Sequence, residues 1–304
     1  MSWVPTCDRG PSAVCRVHWH RGTLPAYGGI DREISMKGRF SVVALIALVL
    51  GAADRSTLAV GSTAQPTDAR YGKFIWNDLV TTDLTACRQF YGSLLGWSFQ
   101  QQTRDGRTYL VAEMGGRPVA GLLDVRDLKD ANSQWVSFMS VPDVDAAAEQ
   151  VRAAGGRILV QPRPIKVGGR AAVVVDPQGA PLGLARLTGG DPADVTDFPS
   201  GRFFWTEYLA RDGNQALDFY KRLAGYEATT TETSQGMQYF VMRRDRPRAG
   251  LFQIPADVGV RPNWLPYVRV DDPSALAQKA QALGGRVVLE PSQERRHGTA
   301  PGAE

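Results

Sequence analysis

The chain has 304 residues, 43% hydrophobic and 22% charged, the balance of a globular protein with room for two domains and not of a disordered chain. Its net charge of +4 is spread thinly: residues 1–35 carry four Arg against two Asp and one Glu (+1), residues 36–64 carry Lys37, Arg39 and Arg55 against Asp54 (+2), and the remainder holds the last +1. With no long basic run, no nucleic-acid partner is expected, and three cysteines exclude a disulfide framework.

Residues 1–35 show neither helical nor strand periodicity and are expected to be an unstructured extension, with Met36 as the true start. Cys7, Cys15, His18 and His20 lie in this stretch at a spacing that is not a usual zinc pattern. Residues 36–64 have the layout of a secretory signal: Lys37 and Arg39, an apolar run from Phe40 to Ala53, then small residues ending in Ser62-Thr63-Ala64. The run is too short to span a bilayer comfortably, so no stable membrane span is expected after cleavage. The protein is then secreted or periplasmic if translation starts at Met36, and otherwise cytoplasmic.

Next comes "WNDLVTTDLTACRQFYGSLLGW" (76–97), which returns 129 residues later as "WTEYLARDGNQALDFYKRLAGY" (205–226). "RPVAGLL" (117–123) likewise matches "RPRAGLF" (246–252), and Trp135, Val141, Asp143, Gly155 and Gly156 match Trp264, Val270, Asp272, Gly284 and Gly285. This is a tandem duplication. Within each copy a fainter half-repeat places an Asp (Asp83, Asp143, Asp212, Asp272) after a strand-like run and before an amphipathic helix, where a carboxylate caps free backbone N–H groups. Short strand candidates follow each helix, divided by turns such as Asp105-Gly106 and "DPQG" (176–179). Each quarter therefore reads β-α-β-β-β, and two quarters can pair their sheets around a concave cleft in an α+β domain.

The expected organisation is a first domain over 65–189, a Pro/Gly/Asp-rich linker over 190–200, and a second domain over 201–304. The similarity between copies fades after Pro291, so the second domain is expected to be truncated, lacking its last strand and offering an open sheet edge for self-association.

These motifs resemble the vicinal oxygen chelate superfamily, the glyoxalase, bleomycin-resistance and dioxygenase proteins. They are most similar to its tandem-domain, hydroxylase-like type. The resemblance rests on the strand-Asp-helix-"FYG"-"LGW" unit, "GRPVAGLL" (116–123), Trp135 to Gly156 and "DPQGAPLGL" (176–184), and covers 72–291. It implies a fold of paired βαβββ modules. In metal-using members it further implies ligands, commonly His, on the first strand of each module and a late Glu, through which an ion polarises substrate oxygens. Carried over, those positions fall on Trp76, Val136 and Gly183, and in the second copy on Trp205 and Leu265. None can ligate, and the chain's three histidines, His18, His20 and His297, lie outside the matching core. No metal and no cofactor is therefore expected.

An indole stands where the resemblance places an ion. Either it stacks on a planar or apolar ligand or it fills the vacated space; both readings stay open here. Strand alternation puts Asp78 on the Trp76 side and Glu207 on the Trp205 side, as polar anchors or, for Asp78, as a general base. The candidate ligand-binding set is Phe74, Trp76 and Asp78 in the first cleft and Phe203, Trp205 and Glu207 in the second, with Asp78 the candidate catalytic residue. The expected function is an exported protein that binds a small planar or apolar molecule in a metal-free cleft. The alternatives are a glyoxalase- or dioxygenase-like enzyme using a non-histidine metal or a carboxylate base, and a protein-interaction module.

Overall fold

The computed structural model describes residues 2–8, 14–18, 69–128, 131–232, 238–255 and 259–288. The segment expected to direct export, 36–64, and the tail from 289 lie outside the described residues. Among the described residues, no helix is long and apolar enough to cross a membrane.

The first copy builds one mixed sheet from two βαβββ modules. Module one runs β3 (Phe74–Thr81), α1 (Leu84–Leu95), β4 (Ser98–Arg104), β5 (Arg107–Met114) and β6 (Arg117–Asp124). Module two runs β7 (Gln134–Ser140), α2 (Val144–Ala153), β8 (Arg157–Pro164), β9 (Gly169–Val175) and β10 (Pro181–Leu187). The spatial order is β4-β5-β6-β3-β7-β10-β9-β8. The first strands of the two modules pair antiparallel at the centre, and each runs parallel to the last strand of its own module.

The second copy repeats the plan with β11 (Phe203–Ala210), α3 (Gly213–Ala224), β12 (Glu227–Glu232), β13 (Gln238–Arg243), β14 (Pro247–Gln253), β15 (Asn263–Arg269), α4 (Pro273–Ala282) and β16 (Gly285–Val287). Its order is β12-β13-β14-β11-β15-β1-β2-β16, where β1 (Ser2–Asp8) and β2 (Val14–His18) come from the N-terminal stretch. The two strands form a hairpin in the places that β10 and β9 hold in the first sheet. The direction is reversed: β1 lies antiparallel to β15, whereas β10 lies parallel to β7.

The four helices start where their sequence signals put them. Asp83, Asp143, Asp212 and Asp272 each accept a backbone N–H of the first turn, from Ala86, Ala146, Gln215 and Ala275 respectively. Gly96 and Gly225 end α1 and α3 in the left-handed conformation that a Cβ disfavours.

The helix side of the sheets holds the larger cores. One cluster joins α2 and α3 with Tyr220 and Trp264; another gathers α1, Trp97 and Trp135 together with Ala280 of α4. The two copies therefore pack through their helical sides. Polar contacts fix the seam. Asp176 of the DPQG turn accepts from Tyr220 at 2.8 Å, and Gln178 accepts from the backbone N–H groups of Arg211 and Asp212 at the head of α3. The segment between β10 and β11 is anchored by Asp191, which accepts from Arg70 N and the Ser140 hydroxyl at 2.6 Å each, and by Asp194, which pairs with Lys73 and Arg248.

Candidate functional site: two cups with a carboxylate at the floor

The face of the first sheet that carries no helix is hollow and apolar, lined by Tyr109, Leu123, Val136, Phe138, Val160 and Val173 among others. Neighbouring strands lie about 4.8 Å apart, so the outermost of eight strands in a flat sheet would be separated by roughly 34 Å. Here they meet. Arg163 of β8 pairs with Asp105 of the β4–β5 turn at 3.1 Å, and Lys166 Nζ donates to the Thr103 carbonyl at 3.1 Å. The sheet thus curls into a cup whose rim is latched across its open side. Burial lowers the Arg163 pKa, as does the nearby Arg104, while Asp105 opposes the shift.

At the floor of this cup stands Asp78, 2% exposed. Its Oδ1 accepts from the Trp76 indole and from the Tyr109 hydroxyl, both at 2.7 Å. Its Oδ2 faces the Arg104 guanidinium at 3.6 Å, and that guanidinium stacks 3.6 Å above the Tyr109 ring. Burial, and then the Asp78 charge, drive the Tyr109 pKa well above the ordinary phenol value, so Tyr109 stays a donor. Gly121 lies opposite Asp78 in the parallel pairing of β3 and β6. A Cβ there would sit 1.8 Å from the Tyr109 hydroxyl and 2.1 Å from Asp78 Oδ1, so the cluster exists because this strand position has no side chain.

The second cup repeats the scheme with different chemistry. Glu207, 6% exposed, accepts from Tyr239 at 2.7 Å and from Tyr267 at 2.5 Å, and the Trp205 indole donates to the Tyr239 hydroxyl at 3.3 Å. Gly250 is the counterpart of Gly121; a Cβ there would sit 2.1 Å from the Tyr239 hydroxyl. Leu209, Phe252, Ile254 and Leu265 complete the lining, with Phe204, Trp205 and Tyr239 half-buried against them.

The structure brings Trp76 to Asp78, and places Trp205 with Glu207 through Tyr239. It does not place Phe74 or Phe203 with them. Both strands carry a register irregularity, between Phe74 and Trp76 and between Phe203 and Trp205, and the alternation of faces breaks there. Phe74 turns to the helical side and packs on Trp264; Phe203 packs on Trp135 and Trp97. Sequence reasoning missed Arg104, Tyr109, Tyr239 and Tyr267. The matching mid-strand glycines of "VAGLL" and "RAGLF" were the available signal, since Gly inside a strand marks a close approach.

Two hollow sheets, the first of paired βαβββ modules and the second of one such module and a βαβ unit completed by β1 and β2, each carry a tryptophan and a carboxylate near the floor, and this architecture defines the class of the protein. The Glyoxalase/Bleomycin resistance protein/Dioxygenase superfamily model matches residues 73–184. The chain is 32% identical over 227 residues to the Mycobacterium bovis protein named "Putative glyoxylase CFP32", covering 73% of this chain and 87% of that one. It is 30% identical over 230 residues to the anthracycline biosynthesis protein DauV of Streptomyces sp. strain C5, covering 71% and 83%. The chain belongs to the glyoxalase/bleomycin resistance protein/dioxygenase superfamily. Among solved structures, the Mn(II)-bound glyoxalase from Novosphingobium aromaticivorans aligns at 16% identity with a TM-score of 0.48, over 71% of this chain and 72% of that one. An extradiol ring-cleaving dioxygenase from B. fuscum aligns at 17% and 0.44, over 63% and 56%.

One expectation is corrected by these likenesses. The absence of imidazoles at Trp76, Val136, Trp205 and Leu265 pointed to no cofactor, whereas a structure with bound Mn(II) stands among those the chain aligns with. The side chains at either floor do not fit one as they stand. Asp78 is held by two donors and a guanidinium, Glu207 by two phenols, and among the described residues no three His, Cys, Asp or Glu side chains stand together.

Proposed function

We propose that this protein binds a small planar or apolar molecule in its cups, with the tryptophan as stacking face and the carboxylate cluster as polar anchor. The observation that carries this reading is the repeated floor: Trp76, Asp78, Tyr109 and Gly121 in one cup and Trp205, Glu207, Tyr239 and Gly250 in the other. An apolar hollow with a few convergent polar groups is the usual form of a ligand site. The carboxylates accept from two hydroxyl or indole donors each, an arrangement that fixes their orientation. Export through the segment at 36–64 is part of the same proposal and rests on its sequence pattern alone.

Tryptophan fluorescence tests the binding reading, with Trp76→Phe and Trp205→Phe assigning the signal. Saturable quenching of either residue by a member of a panel of flat aromatic compounds is the expected outcome. A panel that leaves both residues unaffected defeats the proposal. A second reading, a glyoxalase- or dioxygenase-like enzyme, is favoured by the similarity to a protein named as a glyoxylase. It requires turnover that is lost in Asp78→Asn or Glu207→Gln.

A further inference from the structure

The two cups differ in charge, although they descend from one duplicated sequence. In the first, the Asp78 charge is met by Arg104. In the second, Glu207 forms no ion pair among the described residues, and its carboxylate is met only by the hydroxyls of Tyr239 and Tyr267. The sequence agrees: Arg104 and Arg107 flank the β4–β5 turn, whereas no Lys or Arg occurs between Arg222 and Arg243, the span that holds β12 and most of β13. The position of Phe138 in the first cup is Tyr267 in the second, which adds a hydroxyl beside the carboxylate.

A carboxylate sunk among aromatic rings with no cation beside it is the complement of an organic cation. Phenol hydroxyls stabilise its charge only in part, and the faces of Trp205, Tyr239 and Tyr267 attract a positive group. Trp205 and Tyr239 are half-buried, so both keep an approach from solvent, while Tyr267 is fully covered and forms the floor. One further atom points the same way. Asn263 alternates with Leu265 and Tyr267 on the cup face of β15, roughly 7 Å along the strand from Leu265, the residue paired with Glu207. Its Oδ1 is buried with no donor among the described residues, so it stands ready to accept from a ligand N–H.

We infer that the second cup is selective for a cationic, amine-bearing aromatic ligand, with Glu207 as the counter-charge and Trp205, Tyr239 and Tyr267 as the aromatic wall. The first cup, already neutralised by Arg104, has no such preference. The inference rests on the proposed binding function and adds the charge of the ligand.

The test uses the full chain labelled with 5-fluorotryptophan, with the Trp76 and Trp205 ¹⁹F resonances assigned by Trp→Phe variants. Phenethylamine, phenethyl alcohol and phenylacetate are titrated as probes of equal aromatic size and positive, zero and negative charge. The Trp205 resonance is expected to report phenethylammonium binding about tenfold tighter or more than the alcohol, with phenylacetate weakest. Glu207→Gln is expected to abolish that preference. Tyr267→Phe, which removes a donor and leaves the charge, is expected to keep it; loss of the preference in that variant overturns its assignment to charge, an outcome that can be read even should Glu207→Gln fail to fold. Equal affinity for amine and alcohol at Trp205 overturns the charge selectivity and leaves the binding reading intact. A preference that survives Glu207→Gln overturns the role of Glu207. Silence of both indoles to all three probes counts against the selectivity and the binding reading together.

Discussion

Phe74 of the first copy lies 4.7 Å, centroid to centroid, from Trp264 of the second, and Phe203 of the second lies 5.2 Å from Trp135 of the first. The offset of 129 residues relates both pairs, so each copy sends the same phenylalanine into the other's core. A second reciprocal pair repeats the logic: the Trp97 indole donates to the Gly201 carbonyl at 2.9 Å, and the Tyr226 hydroxyl donates to the Gly72 carbonyl. The joint between the copies is thus made of duplicated parts used in exchange. Phe74→Ala and Phe203→Ala are each expected to cost about 2 kcal/mol, below the range for a fully buried Phe because both rings are half-buried. Urea unfolding checks this, and losses under about 0.5 kcal/mol for both contradict the exchanged-core account.

Gly121→Ala places a methyl 1.8 Å from the Tyr109 hydroxyl and 2.1 Å from Asp78 Oδ1. Neither neighbour can yield without breaking the buried cluster. The expected loss is about 3 kcal/mol, the upper part of the range for overpacking. Calorimetric melting of the variant measures it, with Gly189→Ala as control, since nothing lies within 4 Å of a Cβ at that position.

Tyr109→Phe keeps the ring beneath Arg104 and removes one of the two donors to Asp78 Oδ1. A buried carboxylate deprived of a hydrogen bond is expected to cost about 1–3 kcal/mol. The floor of the first cup should also lose order, read as broadening of a ¹⁹F label at Trp76. A variant as stable as the parent, with a sharp Trp76 line, refutes the role given to this hydroxyl.

Acid sensitivity follows from Asp194. Burial alone would raise its pKa, but hydrogen bonds from Arg248 and Lys73, together with their charges, outweigh burial and hold it at about 2. A carboxyl whose folded pKa lies below its unfolded value of about 3.9 contributes stability that is complete above that value and is lost as pH falls toward 2. The unfolding free energy is therefore expected to fall across that window. Asp194→Asn should be less stable than the parent at pH 6 and show a shallower decline between pH 4 and 2. Parallel pH profiles for the two proteins would count against the role given to Asp194.

The latch over the first cup is partly exposed, with Arg163 and Asp105 at 22% and 9% side-chain exposure, so its worth in stability is small, about 1 kcal/mol or less. Its effect is on access. Arg163→Ala is expected to raise acrylamide quenching of Trp76, measured as the difference between the variant with and without Trp76→Phe. Unchanged quenching means that the rim does not govern entry.

The duplication, the four helices and the βαβββ order of the first three modules were legible because they rest on local and repetitive signals. A capping Asp acts within its own first turn, and a copied segment matches itself at a fixed offset. The pairing of tryptophan and acid on the floor was legible at Trp76 and Asp78, which lie two residues apart on one strand. The fate of Phe74 and Phe203 was not, because a bulge of one residue reverses the face of everything before it and leaves no mark in the alternation. The phenols that hold the acids were hidden for a related reason. Tyr109 and Tyr239 reach them from a strand two places across the sheet, and Tyr267 from the other module, so strand pairing alone brings them together. By itself the sequence settled the periodic plan of the chain. Which side chains face the same hollow, and with what charge, was decided by sheet register and curvature, which depend on contacts between residues far apart in the chain.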